Sequence, residues 1–142
     1  MYKRILIPLD NSSSDETILK HIRPLAKLTN ANLVLVHVAD GYAARLQQEL
    51  NLDDSQEIKE DKLYLETRKE ELTKDGFTVK TYLVQGEPPD GILSIAQQEQ
   101  CDLIAMSTHG HKFFKDVILG SVAENIRHRT DIPILMLRSP VK

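Results

Sequence analysis

A chain of 142 residues, 41% hydrophobic and 27% charged, is long enough to bury one sizeable core without disulfides or metal, so a single domain over 1–142 is expected. A net charge of −3 and a pI near 5.9 leave no general attraction to phosphate backbones or anionic membranes, which sets nucleic acid aside as a partner. The lone Cys101 allows no internal disulfide, no charged apolar leader precedes the first strand, and no apolar run nears the roughly 20 residues that span a bilayer; a cytoplasmic protein without membrane insertion is the expectation.

Ile5-Leu6-Ile7-Pro8-Leu9 is a short continuous apolar run, as in a strand covered on both faces of a parallel sheet, and Pro8 marks its end. The stretch from Asp10 to Glu16 is rich in helix-capping residues and in acid suited to a helix start. Ile18, Ile22, Leu25 and Leu28 then recur at helical spacing, which predicts a helix from about Ser13 to Thr29, bent at Pro24. Leu33 to Val38 is a second strand, and strand–helix–strand in so few residues implies a parallel, right-handed unit.

From Asp40 to Glu57 the pattern is weak, with Ala43, Leu46 and Leu50 compatible with a turn or two of amphipathic helix in a flexible excursion. Gln56 to Lys74 is dominated by charge, with Ile58, Leu65 and Leu72 spaced by seven and Leu63 and Tyr64 beside them: a helix packed by one narrow stripe and otherwise solvated. Asp75-Gly76 stops it, and Phe77 to Val84 alternates like a third strand. Gly86 to Asp90 reads as a turn before a helix carrying Ile92, Leu93, Ile95 and Ala96. Asp102 to Met106 is a fourth strand, a helix is expected from about Val117 to Arg129, and Ile134 to Leu137 is the last strand. The order βαβαβαβαβ predicts an open, doubly wound α/β sheet of five mainly parallel strands and about four helices.

The richest segment lies between the fourth strand and the last helix: Ser107-Thr108-His109-Gly110, nine residues, then Gly120-Ser121-Val122-Ala123-Glu124-Asn125. Two glycines flanking a strand-to-helix loop allow close approach of backbone to a ligand, and the free N–H groups of a helix start suit phosphate. An ordinary capped helix after a plain loop reads equally well from this spacing alone.

Together with Lys3-Arg4-Ile5-Leu6-Ile7-Pro8-Leu9-Asp10, the run from Ala31 to Val38 and the run from Ile132 to Leu137, this segment resembles the universal stress protein family, whose nucleotide-binding members have the pattern G-x2-G-x9-G-[ST] near the C-terminus. Gly110, Gly120 and Ser121 match that pattern; Ser107 stands where its first glycine would be. The resemblance spans nearly the whole chain and is weakest between Asp40 and Asp75. It implies a Rossmann-like nucleotide-binding fold that receives ATP or a related adenine nucleotide. Pro8, Leu9, Asp10 and Val38, the last through its backbone, would then lie at adenine and ribose, and Met106 and Ser107 near the ribose. His109, Gly110, Gly120, Ser121, Val122 and Ala123 would lie around the phosphates, with magnesium held mainly by phosphate oxygens. It also implies a homodimer through the strand 134–137.

Physical chemistry agrees on two points: an aspartate acceptor suits ribose hydroxyls, and a glycine-lined helix start suits anions. Asp10 can also serve as an N-cap, which needs no ligand, and it can do both jobs. His109 can face phosphate or be a plain loop histidine, and Lys112 and Lys115 can offset phosphate charge or be solvated. The five histidines lie on different elements without metal-ligand spacing. There is no G-x4-G-K-[ST], no G-x-G-x-x-G after the first strand and no G-x-S-x-G elbow, which disfavours a P-loop triphosphatase, a dinucleotide dehydrogenase and a serine hydrolase. Three functions follow: a nucleotide-binding stress-response module read by an unidentified regulatory protein; a slow ATP hydrolase at the same site, for which Asp10 or Glu124 would be the only bases in view; and a nucleotide-free dimeric partner-binding protein, for which Ser107 is the hint.

Overall fold

The computed structural model describes residues 1–39, 56–108 and 122–139. Among them one sheet is formed by β1 (Arg4–Pro8), β2 (Asn32–Ala39), β3 (Val79–Gln85), β4 (Leu103–Thr108) and β5 (Ile134–Arg138). Every pairing is parallel and the order is β3-β2-β1-β4-β5. The helices are α1 (Ser14–Thr29), α2 (Gln56–Lys74), α3 (Pro88–Gln98) and α4, whose described part is 122–127. The expected doubly wound sheet is thus observed, with strand ends shifted by one or two residues.

Alternation explains why β1 is apolar from Ile5 to Pro8. Ile5 and Ile7 enter a core with Leu33 and Leu35, with Ile18, Leu19 and Ile22 of α1, and with Leu65 and Leu72 of α2. Leu6, on the other face, joins Val34, Val36, Ile104 and Met106 beneath Ile92 and Ile95 of α3 and Ile126 of α4. Both faces being covered, neither can be polar.

α1 passes through Pro24 and ends at Asn30, whose left-handed backbone (φ 55°) lets its N–H reach the carbonyls of Ala26 and Lys27. Its start departs from expectation: Ser13 occupies the cap position without a side-chain cap bond, so Asp10 is not the N-cap. α2 packs through Ile58, Leu65 and Leu72 as expected, but Leu63 is 69% exposed. Two residues from Leu65 along a helix is about 200° around it, which turns Leu63 to the opposite side. The solvated reading of the charged residues fails for Asp61, which is buried: at three residues from Ile58 it shares the packed face.

Gly86 to Asp90 is not wholly a turn, because Pro88 and Pro89 already occupy the first turn of α3, where missing N–H groups cost nothing. Gly91 then lets α3 approach the sheet: a Cβ there would lie 2.9 Å from Val38 Cγ2 and 3.3 Å from Val84 Cγ2. Residues 40–55, with Ala43, Leu46 and Leu50, and residues 117–121 of the last expected helix lie outside the described residues. Among the described residues no helix is long and apolar enough to cross a membrane.

Candidate functional site

From β1 the chain order runs outward in both directions, to β2 and β3 on one side and to β4 and β5 on the other, so the order reverses between β1 and β4. A crevice is expected beyond the carboxyl ends of those two strands. The ladder makes room for one. β1 pairs with β2 from Arg4 through Pro8, but with β4 only at Ile5↔Leu103 and Leu6↔Ile104.

Pro8 supplies a reason. Leu9 donates its N–H to Val36 of β2 at 2.8 Å, while the Arg4 carbonyl accepts from Asp102 N–H at 2.9 Å on the β4 side. Alternation therefore turns the main chain of Arg4, Leu6 and Pro8 toward β4, and Pro8 has no N–H to continue that ladder. β4 instead stays paired with β5 through Thr108↔Arg138.

At the mouth of β1, residues 9–15 are fixed from three directions. Within the segment, Ser12 Oγ donates to Asp10 Oδ1 at 2.5 Å and lies 2.8 Å from Ser14 Oγ. From α1, the buried Asp15 carboxylate accepts the N–H groups of Asp10 (3.1 Å) and Asn11 (2.9 Å). From α2, Tyr64 donates its hydroxyl to Asp15 Oδ2 at 2.6 Å, and Asn11 Nδ2 donates to Asp61 at 3.4 Å. Asn11 adopts a left-handed backbone (φ 61°), which asparagine tolerates better than most residues. His37 of β2 links the same pieces, with Nδ1 2.7 Å from the Leu9 carbonyl and Nε2 3.1 Å from Asp61 Oδ2.

Burial and then the facing Asp10 charge push Asp15 up to about 7, against the pull of the Tyr64 hydroxyl and the two N–H groups. Folding thus favours neutral Asp15, a contribution fully present below the ordinary carboxylate range and lost as pH rises through about 7. Burial and the Asp15 charge in turn raise Tyr64, while Arg68 donates to Tyr64 from 3.3 Å and is held by Glu16 (2.9 Å) and Glu71 (3.1 Å).

Eight of the expected site residues are described. Pro8 ends β1 and Leu9 follows it, both with buried side chains, Met106 is fully enclosed beneath α3 and α4, and Val122 and Ala123 are buried in the same cluster. At these five the side chain is buried, so only main-chain groups could be offered at the surface. Val38 is half-buried, pairs with Val84 and lies under α3. Asp10 keeps a partly exposed carboxylate. Ser107 finds a partner not foreseen in the sequence: its Oγ lies 3.0 Å from Ser139 Oγ in a buried pair across β4 and β5, on the face that carries Leu103 and Ala105. His109, Gly110, Gly120 and Ser121, with Lys112 and Lys115, lie outside the described residues.

Sequence reading overlooks Asp15, His37, Asp61, Tyr64, Arg68 and Ser139. For α2 a signal does exist: Asp61, Tyr64 and Arg68 follow one another at helical spacings beside the apolar stripe, where solvated residues are out of place. Asp15 carries no such signal, because acid in a first helical turn is ordinary. Elsewhere, burial and then Glu99 and Asp102 push the Cys101 thiol up to about 11, away from the reactive thiolate. Among the described residues no group of three or more His, Cys, Asp or Glu is placed to hold a metal.

Comparison with known proteins gives a consistent result. The sequence pattern of the universal stress protein family matches residues 1–138. The universal stress protein MJ0577 of Methanocaldococcus jannaschii is 33% identical over 97% of this chain and 96% of its own length. A solved structure of MJ0577 superposes with a TM-score of 0.81 at 34% identity, covering 100% of this chain and 99% of that one. Two more distant structures share the fold: a universal stress protein in complex with cAMP (TM-score 0.72, 18% identity, 98% and 99% coverage) and that of Archaeoglobus fulgidus in complex with dAMP (0.70, 21%, 95% and 97%).

Proposed function

This chain belongs to the universal stress protein family, and from that premise we propose that it is a cytosolic module binding ATP or a related adenine nucleotide in the crevice between β1 and β4. The observation that carries the reading is the parting of those two strands after Leu6 and Ile104, with the partly exposed Asp10 on one lip and the end of β4 on the other. That two relatives of the same fold were solved with cAMP and dAMP supports an adenylate as the ligand class. Asp10 accepts ribose hydroxyls; Leu9, Val38 and Met106 present backbone to the base and sugar. Gly110, Gly120 and Ser121, followed by the N–H groups of Val122 and Ala123, take the phosphates. Magnesium, when present, is held by phosphate oxygens and neutralises their charge. The bound state is what a regulatory partner reads. Mass spectrometry of the small molecule released when freshly purified protein is denatured, together with a phosphate-release assay, tests the reading: an adenine nucleotide and negligible turnover are expected, and sustained ATP hydrolysis would replace the binding module with an enzyme.

Ser107 is where this chain departs from the family pattern. Its hydroxyl is engaged by Ser139, which supports a reading in which it does not crowd the sugar. Ser107→Gly is expected to change ATP affinity by no more than about tenfold, or 1.4 kcal/mol. It should destabilise the fold by about 1–2 kcal/mol, from one lost hydrogen bond and a glycine within a strand. Calorimetric titration and chemical denaturation of both proteins check the two numbers; tight binding gained only on the change to glycine would show that the native serine blocks the site.

We further propose a homodimer through β5. That strand ends the sheet, and Met136 is 46% exposed on it, an apolar edge that would otherwise offer unpaired backbone to any passing strand. Sedimentation at micromolar concentration should show a dimer, and Met136→Lys should shift the population to monomer. A native monomer under those conditions contradicts the assignment.

A further inference from the structure

Asp15 is unusual among the carboxylates described. It lies in the first turn of α1, is 2% exposed, and directs both oxygens back at the segment that carries Asp10 rather than outward to solvent. Oδ1 accepts from Asp10 N–H; Oδ2 accepts from Asn11 N–H and from the Tyr64 hydroxyl. Tyr64 is in turn held by Arg68, itself anchored to Glu16 and Glu71. A rigid chain of contacts thus runs from α2 through a buried carboxylate to the backbone of the residue proposed to receive ribose.

We propose that Asp15 is a positioning residue for the nucleotide site and that its ionised carboxylate is the form that holds the Asp10–Asn11 backbone ready for ligand, so that nucleotide affinity follows the protonation of this one buried group. The inference rests on the nucleotide-binding reading of the crevice and adds a regulator to it.

The chemistry runs as follows. An ionised carboxylate has lone pairs enough for two N–H donors and one O–H donor at once. On protonation, one oxygen becomes a donor and a poor acceptor, so either an Asp10–Asn11 amide or the Tyr64 hydroxyl loses its partner in a buried place. The titratable and charged groups around Asp15 are Asp10 from the β1–α1 connection, the neutral Tyr64 and the cationic Arg68 from α2, and Glu16 and Glu71 through Arg68; His37 of β2 and Asp61 of α2 hold the same connection through Leu9 and Asn11. Of these, Asp10 opposes ionisation of Asp15 directly. When ribose hydroxyls donate to Asp10, its charge is spread into those hydrogen bonds and its repulsion of Asp15 weakens. Ligand therefore favours ionised Asp15, and by linkage ionised Asp15 favours ligand. Burial and the Asp10 charge already place the midpoint at about 7, inside the range a cell traverses. The opposing trend in stability, in which neutral Asp15 favours the fold, is what a buried charge kept for function produces.

The test is calorimetric titration of the full chain and of Asp15→Asn with ATP and magnesium between about pH 6 and pH 8; comparison of the two proteins cancels ionisation of the nucleotide itself. Asparagine carries one good acceptor and no charge, so the variant is expected to bind with the low-pH affinity of the native protein throughout. The native affinity is expected to rise about three- to fivefold more than that of the variant over this interval, about fivefold corresponding to a one-unit fall of the Asp15 pKa on binding. Tyr64→Phe, which removes a donor that favours the ionised form, should move the midpoint of the native curve upward, and it carries the test should Asp15→Asn fail to fold. Parallel pH curves for native and variant proteins, or an unmoved midpoint in Tyr64→Phe, overturn the role of Asp15 while nucleotide binding stands. Absence of binding by the native protein at every pH overturns both.

Discussion

Gly120→Val is expected to abolish binding of adenine nucleotides while leaving the protein folded. In sequence Gly120 and Ser121 immediately precede the described part of α4, whose Val122, Ala123 and Ile126 are buried in the core. A phosphate at that helix entrance needs main-chain N–H groups and space beside them, and a β-branched side chain fills the space while disfavouring any left-handed backbone used there. The loss should reach at least about a hundredfold in affinity, close to 2.7 kcal/mol. Because the apolar anchors of α4 are untouched, circular dichroism and the unfolding midpoint should stay near native. Titration with a fluorescent adenine nucleotide provides the readout, and undiminished affinity in a folded variant would place the phosphates elsewhere.

The second large effect concerns the strand on which the crevice depends. Ile7 is fully buried in β1, opposite Leu35 in the register and within the core shared with α1 and α2. Ile7→Ala removes three carbon atoms from a packed interior that relaxes only in part, at a cost of about 2–5 kcal/mol. Against a total of roughly 5–15 kcal/mol for a domain, that is a large share of the stability. A fall in melting temperature on the order of 10 °C is expected. Chemical denaturation gives the free energy directly, and a loss below about 1 kcal/mol would contradict the central, doubly covered position of β1.

The fold is legible in the sequence because each strand is a short apolar run and each turn is punctuated. Ile5 to Leu9, Leu33 to Val38 and Asp102 to Met106 announce a parallel sheet buried on both faces, and that is where β1, β2 and β4 lie. The site is legible to a lesser degree. Chain order alone puts Asp10 just past the end of β1 and Ser107 near the end of β4, as observed, but what each side chain touches depends on elements distant in sequence. Ser139 is 32 residues from Ser107, and Tyr64 is 49 from Asp15. No local pattern encodes such pairs. Reading Gln56 to Lys74 as one solvated face hides Asp61 and Arg68, because composition averages over a helix whose two sides differ. Pro8 is legible as a strand end, yet its effect on the β4 side becomes visible only once the alternation of hydrogen bonds is known.

α2 reaches the β1–α1 connection within its first three turns, where Asp61 and Tyr64 meet Asn11 and Asp15.

The central proposal, an adenine nucleotide held between β1 and β4, is tested most directly by calorimetric titration of the native protein with ATP and magnesium, followed by thermal unfolding at saturating ligand. Saturable binding at about one nucleotide per chain is expected, with a rise in melting temperature that grows with ligand concentration as mass action requires. No heat of binding and no ligand-dependent rise in melting temperature would contradict it and would leave this chain as a family member that works without nucleotide.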